Sequence, residues 1–249
     1  MNRYGLLGRK LSHSQSKAIH EYFFKTNNMD AEYDLLEIEE DEIESKICLL
    51  KQGYYQGFNV TIPYKEIVMQ YIDVLSPAAK EIGAVNTVYI KDGMVVGDNT
   101  DYLGFIDELN QINLNVNGLD VYVLGSGGAS KGICYALKTL NANPIVVSRD
   151  VNKGITYEML NEINYIPVIV NTTPVGMYPN VDGEILNKET VIKADVCIDL
   201  ICNPKITKFL SYSNKGYNGI YMLIYQAVHA EKLWGNDIKI NISDLYKKL

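Results

Sequence analysis

Paired cysteines are what this chain most plainly lacks. Its four cysteines, at positions 48, 134, 197 and 202, show no C-x-x-C spacing, which argues against a metal site or a disulfide set. Cys134 falls in a helical pattern and Cys197 in an apolar run, so buried free thiols are the expectation. Histidine is scarcer still. His13, His20 and His229 form no H-E-x-x-H or comparable ligand spacing, and no metal is expected. Basic charge is in deficit, with 23 Lys and Arg against 30 Asp and Glu, and the resulting −7 argues against a nucleic-acid partner. Long apolar runs are missing too. The most apolar stretch, around 220–228, is broken by Gln226 and is far too short to span a bilayer. Met1-Asn2-Arg3 leads straight into a strand pattern, so no signal peptide is expected and a cytoplasmic protein is the simplest reading. Repeats and low-complexity segments are absent.

What is present is an alternation of strand and helix patterns in a chain long enough for one large or two small cores. The first hundred residues predict strands at 4–7, 31–38 and 57–60, and a helix at 16–26. The acidic run 39–44 predicts the first turns of a helix ending near Gly53, where carboxylates favour the positive end of the dipole. Strands at 84–91 and 94–97 flank Asp92-Gly93, a strong hairpin signal that puts an antiparallel element at the edge of this half. A second series begins after Asn117-Gly118. Short apolar strands are expected at 121–124, 144–148, 168–171 and 196–200, with a helix over about 131–140. Short all-apolar strands separated by helices imply a parallel sheet buried on both faces. The last segment predicts a helix through Trp234 and a short one from Ser243.

Two stretches carry chemistry. Asn59-Val60-Thr61-Ile62-Pro63-Tyr64-Lys65 sets hydrogen-bonding side chains and an ammonium group around a strand end, where Pro63 stops the ladder. Lys65 then falls at a predicted strand-to-helix junction, and Asn99-Thr100-Asp101 offers it a carboxylate partner. A cationic lysine can protonate or polarise a carbonyl that receives a hydride, with a carboxylate orienting it; an ion pair between packed elements is the plainer alternative. Gly125-Ser126-Gly127-Gly128-Ala129-Ser130 follows a strand and opens a helix. Gly125 permits a tight turn, Gly127 lets backbone approach a pyrophosphate, and the helix start offers free N–H groups. Ser130 stands where a third glycine is common. No tyrosine has a lysine four positions later, which argues against a short-chain dehydrogenase.

The ordered set resembles the shikimate dehydrogenase family. The family's early H-S-x-S is matched by His13-Ser14-Gln15-Ser16, its N-V-T-x-P-x-K by 59–65, its G-A-V-N-T by 83–87 and its N-T-D by 99–101. Its glycine loop, N-R-T, N-x-T-P-x-G-M, D-x-x-Y-x-P and M-L-x-x-Q-A correspond to 125–130, 148–150, 171–177, 199–204 and 222–227. The resemblance implies an α/β protein of two domains. One is an N-terminal α/β substrate domain, discontinuous over 1–101 and 226–249, and the other a Rossmann-like, doubly wound parallel-sheet nucleotide domain over 102–225.

By the same resemblance, Lys65 and Asp101 are the catalytic pair. Ser14, Ser16, Asn59, Thr61, Asn86 and Gln226 bind substrate, although Ser16 could equally cap a helix and Asn86 hold a loop. Gly125, Ser126, Gly127, Gly128, Ala129, Ser130, Ser148, Arg149, Lys153, Thr172 and Met222 hold the cofactor. That cofactor is NADP by Arg149, which suits a 2′-phosphate, with NAD left open by Asp150 in place of the family threonine. The implied reaction is reversible reduction of 3-dehydroshikimate to shikimate by a monomer or homodimer whose partners are small molecules. An NAD-dependent quinate/shikimate dehydrogenase and a non-catalytic dinucleotide sensor are the rivals. Lys10 and Lys17 replace two family prolines, and Cys202 replaces a tyrosine expected to help hold the substrate.

Overall fold

The computed structural model describes residues 1–249. Contacts divide the chain into two units, Met1–Gly104 with Leu223–Leu249, and Phe105–Met222.

The first unit contains β1 (Asn2–Gly8), α1 (Ser16–Thr26), β2 (Ala31–Glu37), α2 (Ile43–Lys51), β3 (Gly57–Val60), β4 (Val74–Leu75), α3 (Pro77–Ile82), β5 (Thr87–Lys91) and β6 (Met94–Asp98). Its six-stranded sheet runs β2-β1-β3-β5-β6-β4. The first three strands are parallel, while β5 is antiparallel to both β3 and β6. Asp92 and Gly93, at φ 52° and 77°, make the tight hairpin turn. The hairpin is not the sheet edge, contrary to expectation. The two-residue β4 pairs with β6 outside it and is too short to leave a sequence signal. Leu7, Phe58, Val85, Val88 and Val95 pack with Ile43, Ile47 and Leu50 of α2 into one core.

Three further expectations for this half need correction. The acidic run forms a 3₁₀ turn, Glu40–Glu42, closed by a capping box in which the Glu39 N–H donates to Glu42 Oε2 at 2.8 Å; α2 starts only at Ile43. Lys65 leads into a single 3₁₀ turn, Ile67–Tyr71, and not an α-helix. β5 begins only at Thr87, although Asn86 N–H still reaches Asp98 O of β6; one residue earlier Val85 N–H leaves the sheet for Lys65 O.

The helix α4 (Asp101–Gln111) carries the chain into the second unit. There follow β7 (Asp120–Leu124), α5 (Gly128–Thr139), β8 (Asn143–Val147), α6 (Tyr157–Asn161), β9 (Ile166–Asn171), α7 (Lys188–Val191), β10 (Ala194–Asp199), α8 (Lys208–Tyr212) and β11 (Gly216–Asn218). All five strands are parallel, in the order β11-β10-β9-β7-β8. The chain winds one way from β7 to β8 and then back through β9, β10 and β11. Right-handed crossovers on either side of β7 therefore lay helices on both faces, the doubly wound arrangement. Leu124, Val147, Ile169, Cys197 and Phe209 form its core.

α9 (Ile220–Leu233) returns the chain to the first unit, and α10 (Ile242–Lys248) ends it. No helix is long and apolar enough to cross a membrane. All four cysteines are free, but Cys48 is exposed on α2, contrary to the expectation of buried thiols.

Candidate active site

Topology gathers one set of polar groups at a single edge of the first sheet. The carboxyl ends of β1, β3 and β6 and the amino end of the antiparallel β5 all lie there, since Leu7 pairs with Val60, Asn59 with Thr87, and Thr87 with Asp98. Lys65 follows β3, Asn86 precedes β5, and Asp101 begins α4 just after β6. The Lys65 ammonium donates to Asp101 Oδ2 at 2.6 Å, with side chains 16% and 8% exposed. The other carboxylate oxygen, Oδ1, accepts from Asn86 Nδ2 at 2.8 Å. Asp101 N–H donates to Asn99 Oδ1 at 3.1 Å, which fixes the start of α4 where its dipole favours a carboxylate. Lys65 is held by its own backbone carbonyl, which accepts from Val85 N–H at 2.7 Å.

Asn86 is the hub of this cluster. Its Oδ1 accepts from Thr100 N–H at 2.6 Å and from Thr87 Oγ1 at 3.0 Å, while its Nδ2 also lies 3.0 Å from Thr100 Oγ1 and 3.5 Å from Gln226 Oε1. Gln226, on α9, anchors its amide on Leu223 O at 2.9 Å. Asn59 completes the buried part, its Nδ2 lying 3.4 Å from Asn86 O and 3.3 Å from Thr87 Oγ1.

Ser14, Ser16 and Thr61 lie at the same sheet edge without a hydrogen bond to that cluster. Gly8 is packed so tightly that a Cβ there would come within 2.7 Å of Thr61 Cγ2, which brings the loop after β1 beside Thr61. Gln15 and not Ser16 is the helix cap; Ser16 is the first helical residue, and its N–H donates to Ser14 Oγ at 3.2 Å. The Ser16 and Thr61 hydroxyls make no hydrogen bond within the protein. Of the departures, Lys17 is paired along α1 with Glu21 at 3.6 Å. Thr87, Thr100 and Asn99 belong to the cluster but were not singled out by sequence reasoning, although each sits inside a motif that was. Tyr33 also joins it, without any motif to signal it.

In the second unit the polar residues collect at the carboxyl ends of β7, β8 and β9. The strand order reverses between β7 and β9, where open α/β sheets bind ligands. Gly125 turns there at φ 103°, with Thr172 and Thr173 within 3.0 Å of where a Cβ would stand. Thr172 ties the two strand ends together, its Oγ1 donating to Leu124 O at 2.6 Å. The helix α5 starts at Gly128, three residues before expectation, because Gly128, Ala129 and Ser130 read as loop yet form its first turn. Gly127 precedes it with no side-chain cap, so the first N–H groups of a twelve-residue helix have no side chain to receive them. Beyond Gly127 a Cβ would meet nothing within 4 Å. That opening and those N–H groups fit a bound pyrophosphate.

At the end of β8, Ser148 is buried, with its Oγ 3.3 Å from Ser126 Oγ and accepting from Asp150 N–H at 3.1 Å. Asp150 turns its carboxylate inward on its own loop, where Oδ1 accepts from Asn152 N–H at 3.0 Å and Nδ2 at 3.1 Å. Arg149 is exposed beside this turn and holds no ion pair; Lys153 lies exposed in the same 3₁₀ turn. The residues present therefore fit a cofactor carrying a 2′-phosphate. Met222 is buried at the start of α9. Asp199 is structural, accepting from Asn171 Nδ2, Ile201 N–H and Thr207 Oγ1 at 3.0, 3.1 and 2.6 Å, and burial pushes it up to about 6 against those bonds. Cys202 directs its thiol toward Leu200 O at 3.8 Å, and burial, with the Glu108 and Asp199 carboxyls nearby, pushes it well above its ordinary range.

A two-domain α/β frame, with a buried lysine–carboxylate pair in one unit and a glycine-opened parallel sheet in the other, defines a nicotinamide-dependent oxidoreductase. The family model for the shikimate dehydrogenase substrate binding domain matches residues 6–88. An NADP(+) shikimate dehydrogenase of Clostridium perfringens is 41% identical over 268 residues, covering 100% of this chain and 98% of that protein. Shikimate dehydrogenase 1 of Peptoclostridium difficile superposes with a TM-score of 0.90 at 40% identity, covering 100% of this chain and 97% of that one. The Thermus thermophilus enzyme, solved with NADP(H) and shikimate, gives 0.89 at 27% identity, with 99% and 98% covered. This chain belongs to the shikimate dehydrogenase family.

Proposed function

We propose that this protein catalyses the reversible, NADP-dependent reduction of 3-dehydroshikimate to shikimate, a step of aromatic amino-acid biosynthesis. The observation that carries the reading is the 2.6 Å Lys65–Asp101 pair, set in a polar cluster at one sheet edge of a family member. NADPH supplies the hydride when bound; the protein's own groups manage the oxygen. As charge develops on the carbonyl oxygen, the Lys65 ammonium donates a proton to it and the neutral amine later recovers one from solvent. Asp101 holds that ammonium in place and accepts a ring hydroxyl. Asn59, Asn86 and Gln226 supply amides for the other hydroxyls, and Ser14, Ser16 and Thr61 supply hydroxyls for the substrate carboxylate. The glycine loop from Gly125 through Ser130 receives the pyrophosphate on the start of α5, with Thr172 and Met222 beside it, while Ser148, Arg149 and Lys153 hold the 2′-phosphate. We assign the substrate role to the first unit and the cofactor role to the second. A monomer or homodimer in the cytoplasm, with small molecules as its only partners, completes the reading.

Supplying 3-dehydroshikimate and NADPH to the purified protein tests this. One shikimate should appear for each NADPH consumed, and a lack of consumption would refute the reaction. Arg149→Ala should weaken NADP by roughly tenfold to a hundredfold, the scale of a hydrogen bond to a charged group, and leave NAD nearly unchanged. Asp150 favours this outcome, because its carboxylate is occupied by Asn152. Equal losses for both cofactors in steady-state kinetics would mean that Arg149 serves the fold or the pyrophosphate instead.

A further inference from the structure

We propose that Tyr33 is a positioning residue for this reaction, acting through Asn59; the inference rests on the substrate site assigned above. Tyr33 is fully buried on β2, and its hydroxyl donates to Asn59 Oδ1 at 2.7 Å. An asparagine amide presents an acceptor on one side and donors on the other, and its partners decide which way it faces. By occupying Oδ1, the Tyr33 hydroxyl turns Asn59 Nδ2 toward Thr87 Oγ1 and Asn86 O. Both of those contacts are long, 3.3 and 3.4 Å, so the amide N–H groups are only weakly used inside the protein. They are left available to a ring hydroxyl. The flipped amide would set its oxygen against the Asn86 carbonyl, which opposes the flip from one side, and would cost Oδ1 the hydrogen bond from the Tyr33 hydroxyl on the other.

Tyr33 is itself fixed by a pedestal that no other part of the mechanism uses. The His20 ring lies stacked on it, with centroids 4.2 Å apart and planes 5° from parallel. His20 Nδ1 is 2.5 Å from Glu231 Oε1, both side chains being fully buried, and Glu231 Oε2 accepts from Asn236 Nδ2 at 2.6 Å. Burial raises Tyr33 well above the ordinary phenol range, with Glu231 adding to it, so the hydroxyl keeps its proton and remains a donor. Glu231 sits on α9 five residues after Gln226, which reaches the Asn86 hub. One helix thus meets the amide cluster twice: through Gln226 directly and through Glu231, His20 and Tyr33.

Tyr33→Phe removes one oxygen and keeps the ring on its pedestal. Wild-type turnover of shikimate is measured first, since its absence would overturn the functional reading and not this inference. Given turnover, Tyr33→Phe should raise KM for shikimate by about tenfold, the scale of a hydrogen bond to a polar group, with KM for NADP unchanged. In an Asn59→Ala background the same change should have almost no further effect on KM. An unchanged shikimate KM, or an equal rise in both backgrounds, would overturn the proposal, as would a loss confined to Tm. Should Tyr33→Phe fail to fold, Asn59→Asp serves instead. It keeps an acceptor for Tyr33 and deletes the amide donors, so KM for shikimate should rise at least as far; an unchanged value would leave the oriented amide with no role.

Discussion

Lys65→Ala is expected to lower turnover of shikimate by about 10²–10⁴-fold, the range for a positioned acid or base, with NADP binding intact. The ammonium is the one group hydrogen-bonded to Asp101 Oδ2, at 2.6 Å, and it is only 16% exposed, so no neighbouring water-exposed lysine can stand in for it. Removing it leaves the Asp101 carboxylate without a counter-charge but still bonded to Asn86 Nδ2 at 2.8 Å. The cost to stability should therefore fall below the ~3–5 kcal/mol typical of a broken buried pair. Measuring Tm and NADP affinity beside kcat separates the two effects. A variant that binds NADP and turns over at a comparable rate would reduce Lys65 to a structural ion-pair partner.

Asp101→Asn should act on both kinetic constants. An amide is nearly isosteric with the carboxylate and can still accept from either Lys65 or Asn86, but it cannot do so for both with one oxygen while its NH₂ faces the other donor. We expect kcat to fall through a misplaced lysine, and KM for shikimate to rise more than kcat falls, because in the proposed site Asp101 also accepts a hydrogen bond from a ring hydroxyl. Each lost hydrogen bond to a charged group corresponds to roughly 1.5–3 kcal/mol, about one to two powers of ten in KM. Steady-state kinetics matching wild type would show that Asp101 touches neither lysine nor substrate productively.

Much of this arrangement was legible because the groups that carry it sit in short contiguous motifs. Asn59 to Lys65 and Asn99 to Asp101 each place two or more cluster members within seven residues, and the apolar runs around them announce the strands that end there. The helix from Ser16 to Thr26 and the hairpin at Asp92-Gly93 follow from local chemistry alone. Other elements depend on neighbours distant in sequence. β11, with Gly216-Tyr217-Asn218, carries no apolar run and exists by pairing with β10. The first turn of α5 is Gly128-Ala129-Ser130, a poor helix former whose value lies in the bare N–H groups it offers. α4 was hidden because Asp101 was read as a site residue and not also as a helix start. Tyr33 was invisible for a similar reason. It lies 26 residues from Asn59, and only the parallel order β2-β1-β3 brings its hydroxyl there.

The most direct test compares kcat/KM for shikimate and quinate, each with NADP and with NAD, on the same preparation of the full chain. The substrate site proposed above, with Arg149 free of any ion pair beside an occupied Asp150, predicts that the shikimate–NADP pair exceeds the other three by at least tenfold. A higher kcat/KM with NAD, or for quinate, would contradict the account at the cofactor site or the substrate site respectively, and no turnover with any of the four would contradict it altogether.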